Sequence, residues 1–228
     1  MTVLRHLQLT GGGPLWLTPD RASSAQELSA AAMRLRGEVP GGAGTCVALR
    51  QPDSFRTALW LAALDGWSTC VLLLPSSLDE AQVEAFCAQA GCGTLLQLDP
   101  LPFLSSTEPV VIPDAPVETR WIIPTSGTTG TPKLVSHTMA TLTRSTRQDK
   151  HKGLEFRWGL LYDVTRFAGL QVLLQAVCGG SKLIFPDPHT ELDAQLAFLA
   201  AHGCTALSAT PTLWRKILML PEASALPL

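Results

Sequence analysis

Long apolar segments are missing from this sequence. The run "CVLLL" at 70–74 falls far short of the roughly 20 apolar residues that a helix needs to cross a bilayer. The opening "MTVLRHLQLTGGG" has no extended apolar stretch of the kind a secretory leader uses. No membrane span is expected, and the cytoplasm is the default location. Charge is scarce as well: 16% of residues are charged and the net charge is -2. The basic side chains are scattered, which argues against nucleic acid as a partner. Metal-binding cysteine patterns are also missing. None of the six cysteines (Cys46, Cys70, Cys87, Cys92, Cys178, Cys204) falls in a C-x-x-C pair, and no histidine stands beside them at zinc-ligand spacing. They sit mostly inside apolar runs and read as buried free thiols of a reducing compartment.

What is present is enough for a full core. A chain of 228 residues, 46% of them apolar, has the size and composition of a soluble globular protein. Its mean hydropathy of +0.21 lies on the oily side. That fits either a tightly packed α/β core or a surface that something else covers.

Short apolar runs alternate with helical patterns. "LWLT" (15–18), "TCVAL" (45–49), "STCVLLL" (68–74) and "TLLQL" (94–98) read as strands. Between them lie helices at 24–37, from Asp53 to about Asp65, and at 78–91. Ser24 and Glu27 form a capping box, and Gly91 is a stop. Five prolines between 100 and 116 mark an extended crossing segment. A second series follows. Its strands are at 121–125, 134–137, 158–162, 182–185 and 205–209; its helices start near Met139 and cover 166–177, 191–203 and 211–220. Residues 147–153 read as an exposed, solvated turn. The alternation predicts an α/β fold, three layers with helices on both faces of a mainly parallel sheet. The series divide at 1–99, 100–120 and 121–228.

The segment with chemistry in it is "IIPTSGTTGTPKLVSHT" (122–138). Gly127 and Gly130 permit the backbone of an anion-binding nest. Thr125, Ser126, Thr128 and Thr129 add neutral donors, and Lys133 adds a charge suited to phosphate oxygens. Pro132 stiffens the exit. The segment is not a Walker A loop, since Gly130 is followed by Thr131-Pro132-Lys133 and Leu134 stands where a magnesium-holding hydroxyl would be. Nor is it the dinucleotide G-x-G-x-x-G.

"TSGTTGTPK", with Ile122 ahead of it, resembles the phosphate-loop signature of the adenylate-forming enzymes: acyl-CoA synthetases, luciferases and the adenylation domains of nonribosomal peptide synthetases. The similarity extends to residues 24–96, to "FAGLQVLLQAVCGGSKLIF" and to "HGCTALSATPTLWRKIL". It implies the first portion of that family's large N-terminal domain. It also implies ATP and Mg2+ as cofactors, a small carboxylic acid as substrate, and a thiol acceptor from coenzyme A or a phosphopantetheine carrier protein. By resemblance, Thr125, Ser126, Gly127, Thr128, Thr129, Gly130 and Lys133 hold the phosphates, with Lys133 and Thr128 assisting catalysis. Tyr162, Asp163 and Phe167 are the candidates for the acid's pocket.

"YDVT" (162–165) resembles the F-D-x-S of amino-acid-activating domains, whose aspartate clamps an amine. A helix start is where Asp belongs in any case, and capping the helix that begins near Arg166 is the favoured reading of Asp163. The family's usual Thr-His pair is Thr138-Met139 here, with the histidine displaced to His137, which reads as a strand-end residue. The family's adenine-binding segment, ribose-binding acid and C-terminal adenylation lysine have no match by Leu228. The resemblance therefore implies an N-terminal fragment that is inactive alone. A non-catalytic interaction module, an amino-acid-activating domain and an unrelated phosphate-binding protein such as a kinase stay open at this point.

Overall fold

A computed structural model of the chain describes residues 1–11, 13–105, 117–125 and 133–228. A short helix α1 (Val3–Gln8) leads into a hairpin of β1 (Pro14–Thr18) and β2 (Arg21–Ser24). Helix α2 (Ala25–Gly37) starts at the expected capping box: the Glu27 amide donates to Ser24 Oγ at 3.2 Å, and the Ser24 amide donates to Glu27 Oε2 at 2.7 Å. After β3 (Cys46–Arg50), Asp53 caps α3 (Ser54–Leu64), accepting the Arg56 amide at 2.8 Å. Strand β4 (Cys70–Leu74) leads to α4 (Glu80–Ala90). Gly91 ends that helix with φ 69°, a left-handed conformation that glycine adopts at little cost. Strand β5 (Thr94–Leu96) and a single 3-10 turn (Leu101–Leu104) complete the first series.

The second series holds β6 (Arg120–Thr125), β7 (Lys133–Thr138), the single-turn helices α5 (Met139–Leu142) and α6 (Lys150–Gly153), and β8 (Arg157–Gly159). It continues with α7 (Phe167–Gly179), β9 (Lys182–Ile184), α8 (Leu192–Ala201), β10 (Ala206–Leu207) and α9 (Pro211–Leu218). The exposed 147–153 turn expected from the sequence contains α6, whose His151 and Lys152 face solvent.

The α/β class expected from the sequence holds, with two sheets and five layers where one sheet and three layers were expected. The described strands form two five-stranded sheets, ordered β5-β3-β4-β6-β7 and β10-β8-β9-β1-β2. Each is parallel except for one antiparallel edge strand, β7 in the first and β2 in the second. The sheets cut across the sequence series, because β1 pairs in parallel with β9, Trp16 opposite Leu183.

Side chains alternate across a strand, and the alternation sorts them into layers. Val47, Leu49, Val71, Leu73, Trp121 and Ile123 of the first sheet share one buried cluster with α1, α2, α3 and α7 and with Trp16 and Leu183 of the second sheet. Ala48, Leu72 and Leu74 turn the other way, onto Val83 and Phe86 of α4. Ile184 turns onto Leu196 and Leu199 of α8 and Ile217 of α9. The order is therefore helix, sheet, shared helices, sheet, helix. Strands buried on both faces need near-continuous apolar runs, and "CVLLL" supplies one. Trp16 of the second sheet and Phe185, just after β9, pack on Phe55 of α3, with ring centroids 5.4 to 5.9 Å apart; such pairs contribute about 0.5–1.5 kcal/mol each beyond burial.

One expectation is corrected. Cys46 and Cys70 occupy directly paired positions of β3 and β4 and are joined as a disulfide, with Cα atoms 4.5 Å apart. Strand pairing at 46 and 70 brings their side chains together, which separation in sequence conceals. Cys87, Cys92, Cys178 and Cys204 are free thiols.

Candidate active site

Strands β6 and β7, which flank the glycine-hydroxyl motif, pair antiparallel. Strand β6 is buried from Trp121 to Pro124 and pairs with β4 on one side and β7 on the other. Thr125 and Lys133 are the last paired positions, both exposed, and Thr125 Oγ1 donates to the Lys133 carbonyl at 3.1 Å. Ser126, Gly127, Thr128, Thr129 and Gly130 lie outside the described residues. The structure thus fixes the base from which they depart. Because β3, β4 and β6 run parallel, that base lies at the carboxyl edge of the first sheet.

The same edge opens into a cleft of about 1070 Å³. Its walls come from the ends of strands in both sheets: Thr18 of β1, Gln51 after β3, Ser76 after β4, Leu160 after β8 and Phe185 after β9. Ligands of open α/β sheets bind at such carboxyl ends, where loops diverge and backbone groups are unclaimed by the ladder. Phe55 and Phe185 give the cleft an apolar part; Asp20, Asp53, Asp163, Asp187, Arg21, Arg56 and His189 line its polar part.

Tyr162 and Asp163 both line this cleft. They are held from two sides. Ser54 Oγ donates to the Tyr162 carbonyl at 3.4 Å and accepts the Val164 amide at 3.1 Å, while the Tyr162 hydroxyl accepts the Thr210 amide. Asp163 is exposed, and its Oδ1 accepts the Thr165 amide at 2.8 Å. It does not cap α7: that helix starts at Phe167, its N-cap is Arg166, and no side chain caps it. The carboxylate closes a turn before the helix instead, and has no second partner among the described residues. Helix α7 approaches this turn closely. A Cβ on Gly169 would stand 2.2 Å from the Asp163 carbonyl oxygen, so only glycine fits there.

Phe167 is placed elsewhere. It is 51% exposed, and its ring lies 5.5 Å from that of His137 on β7. It joins α7 to the hairpin and is not among the residues lining the cleft.

Sequence reasoning missed the contribution of the β3–α3 junction. Asp53 serves as a cap, as expected, but it also pairs with Arg56, whose Nε donates to Asp99 Oδ1 at 3.0 Å. Burial pulls the Arg56 guanidinium down, and the two carboxylates outweigh it, leaving it above its ordinary value. Ser54 and Gln51 belong to the same turn. The only signal was the polar run Gln51-Pro52-Asp53-Ser54 following an apolar strand, which also fits a plain helix start.

For a hard cation such as magnesium the described residues offer no cluster of oxygen ligands. Among them, the His, Cys, Asp and Glu side chains that converge are Cys46, Cys70 and Cys92, two of which are joined as a disulfide. No helix among the described residues is long and apolar enough to cross a membrane.

A sequence profile described as "AMP-binding enzyme" matches residues 76–227. A nonribosomal peptide synthetase, tcpP of Claviceps purpurea (strain 20.1), is 34% identical over 113 residues, covering 46% of this chain and 5% of that protein. Among solved structures, the N-terminal subdomain of NpsA from Klebsiella oxytoca, in complex with anthranilyl-AMSN, superposes with a TM-score of 0.79 at 18% identity. The match covers 96% of this chain and 62% of that one. O-succinylbenzoate coenzyme A synthetase (MenE) from Bacillus subtilis, in complex with AMP, gives a TM-score of 0.78 at 18% identity over 99% of this chain and 65% of the other. The chain therefore spans less than two thirds of the length of these structures, and about 5% of the synthetase.

Proposed function

The chain belongs to the AMP-binding enzyme family, and we propose that it supplies the phosphate-holding loop and part of the acid-binding cleft of a carboxylate-activating ligase. In this reading a carboxylic acid attacks the α-phosphate of ATP, forming an acyl-adenylate and releasing pyrophosphate. The acyl group then passes to the thiol of coenzyme A or of a carrier-protein phosphopantetheine. The observation that carries it is the shared edge: the Thr125–Lys133 hairpin base and the Tyr162–Asp163 wall both stand at carboxyl strand ends.

Roles follow from the residues. Ser126, Thr128, Thr129 and the amides around Gly127 and Gly130 donate to the phosphate oxygens, with Thr125 at the rim. Lys133 offsets the charge that grows on departing pyrophosphate, and Thr128 donates beside it; donors fixed in advance cost no reorganisation as that charge develops. Tyr162 shapes the acid's pocket and Asp163 pairs with an amine if the acid carries one. Phe167 acts on the hairpin side, through His137. Magnesium travels with the triphosphate, and no described residue is assigned to it.

The relatives' ligands fit this reading, since anthranilyl-AMSN and AMP accompany the two structures named above. The test is pyrophosphate release by the polypeptide that contains these residues, offered ATP and a panel of aryl, alkyl and amino acids. Release with one class supports the reading. Failure to release pyrophosphate with every acid, together with failure to bind ATP, overturns it. The 228 residues by themselves should release none.

A further inference from the structure

Three sulfurs meet on the outer face of the first sheet, away from the cleft. Cys46 of β3 and Cys70 of β4 carry the disulfide, and Cys92, just past the left-handed Gly91 that ends α4, places its Sγ 3.2 Å from that of Cys46 and 3.9 Å from that of Cys70. Register brings them together: β5 pairs with β3, Thr94 opposite Val47, which draws the turn after α4 alongside Cys46. The surroundings are apolar, made of Ala48, Leu72, Val83, Phe86 and Ile122. Cys46 is the partly exposed member, while Cys70 and Cys92 are buried.

We infer that Cys46, Cys70 and Cys92 form a thiol–disulfide exchange site in which Cys46 keeps the bond and its partner alternates between Cys70 and Cys92. Cys92 Sγ stands beside the bond, nearer Cys46; its side chain rotates into line and the thiolate attacks Cys46 Sγ. A Cys92–Cys46 bond forms, the Cys46–Cys70 bond breaks, and the electron pair leaves on Cys70, which takes up the proton that Cys92 released. Nothing is oxidised or reduced overall, so no co-reactant is needed. The exchange moves a link between adjacent strands, 24 residues apart in sequence, to one between β3 and the end of α4, 46 residues apart. Burial, then the neighbouring Cys87 sulfur, push the Cys92 thiol up to about 11, while the Leu72 amide and Arg120 pull it down. The attacking thiolate is therefore scarce at neutral pH, and exchange is slow enough to trap.

The chain, purified without reductant, is acid-quenched at intervals, alkylated with N-ethylmaleimide, digested and mapped by mass spectrometry. Peptides linking Cys46 to Cys70 and Cys46 to Cys92 are both expected, and Cys92→Ala should leave only the first. In Cys70→Ser, oxidised glutathione should join Cys46 to Cys92 with loss of two alkylatable thiols, its own two halves leaving as glutathione thiols. Three results would each overturn the inference: a single Cys46–Cys70 link at every time point, a folded Cys70→Ser variant whose Cys46 and Cys92 stay alkylatable, or a metal ion held by the three sulfurs in native mass spectra. Should Cys70→Ser fail to fold, the wild-type time course decides alone.

Discussion

Two buried titratable side chains set how this chain responds to pH, and they pull in opposite directions. Asp65, at the end of α3, accepts the Val3 amide on one carboxylate oxygen at 2.8 Å and Trp121 Nε1 on the other at 3.2 Å. Burial, only partly offset by these donors, holds its carboxyl above the ordinary value. The folded chain then binds this proton more tightly than the unfolded chain, so stability falls as pH rises above the ordinary carboxylate range. Asp65→Asn removes that slope but gives one of the two donors an amide NH2 to face, costing about 1–3 kcal/mol. Urea titrations from pH 4 to 7 should show the variant less stable throughout, with the gap to wild type narrowing as pH rises. His6 on α1 behaves oppositely. It is 3% exposed, and burial, followed by Lys150 and the N-terminus, pushes its imidazole down to about 4. The unfolded chain takes the proton first, so stability is full above pH 6.5 and is lost as pH falls toward 4. His6→Leu should abolish this loss, worth up to about 3 kcal/mol, and the same titrations read it.

At the scale of elements, the hairpin carries the sharpest expectation. Lys133 is exposed at its base, so Lys133→Ala should leave the far-UV circular dichroism and thermal midpoint unchanged. On the proposed reading, pyrophosphate release by the polypeptide containing it should fall about 10²–10³-fold, the range for losing one charge-stabilising donor. Equal turnover in the variant would remove Lys133 from the chemistry. The hairpin also marks how far the sequence could be read. Helix starts at Ser24 and Asp53 and the stop at Gly91 were legible because capping is local: the partner lies three residues away. The buried strands were legible from apolar runs too short for helices. Strand β2, Arg-Ala-Ser-Ser, was not, because its side chains are polar and its place depends on the turn from β1 and on the sheet beyond. Helix α1 was hidden for a similar reason, six residues whose N-terminus is tied to Asp65, far along the chain. Of the candidate site, the motif from Thr125 to Lys133 stood out by its glycines, hydroxyls and lysine, and the pair Tyr162–Asp163 by resemblance; the structure puts that pair on the cleft lining. Ser54 and Arg56 could not, because their roles come from contacts with Tyr162, Val164 and Asp99, more than 40 residues away.

For the molecule as a whole, the decisive feature is the helical layer that both sheets share. Sequence periodicity pointed to one sheet with helices on its faces, and nothing local says that β1 must cross to β9 or that one set of helices serves two sheets. Trp16 of the second sheet, Trp60 of α3 and Trp121 of the first sheet are all fully buried in that one cluster. Unfolding should therefore be a single event: tryptophan fluorescence and far-UV circular dichroism should give coincident urea transitions. Two separated midpoints would mean that the sheets are independent units despite the common packing.

The placement of the cleft on strand ends bears on how new specificities could arise. Thr18, Asp20, Ser76, Asp187 and His189 border it without belonging to the buried clusters. If the cleft holds the acid as proposed, drift at these five positions reshapes what is selected while the scaffold stays intact, whereas change at Val47 or Leu72 is screened by foldedness before selectivity matters. Divergence within such a lineage should accumulate at the rim and leave the interior still.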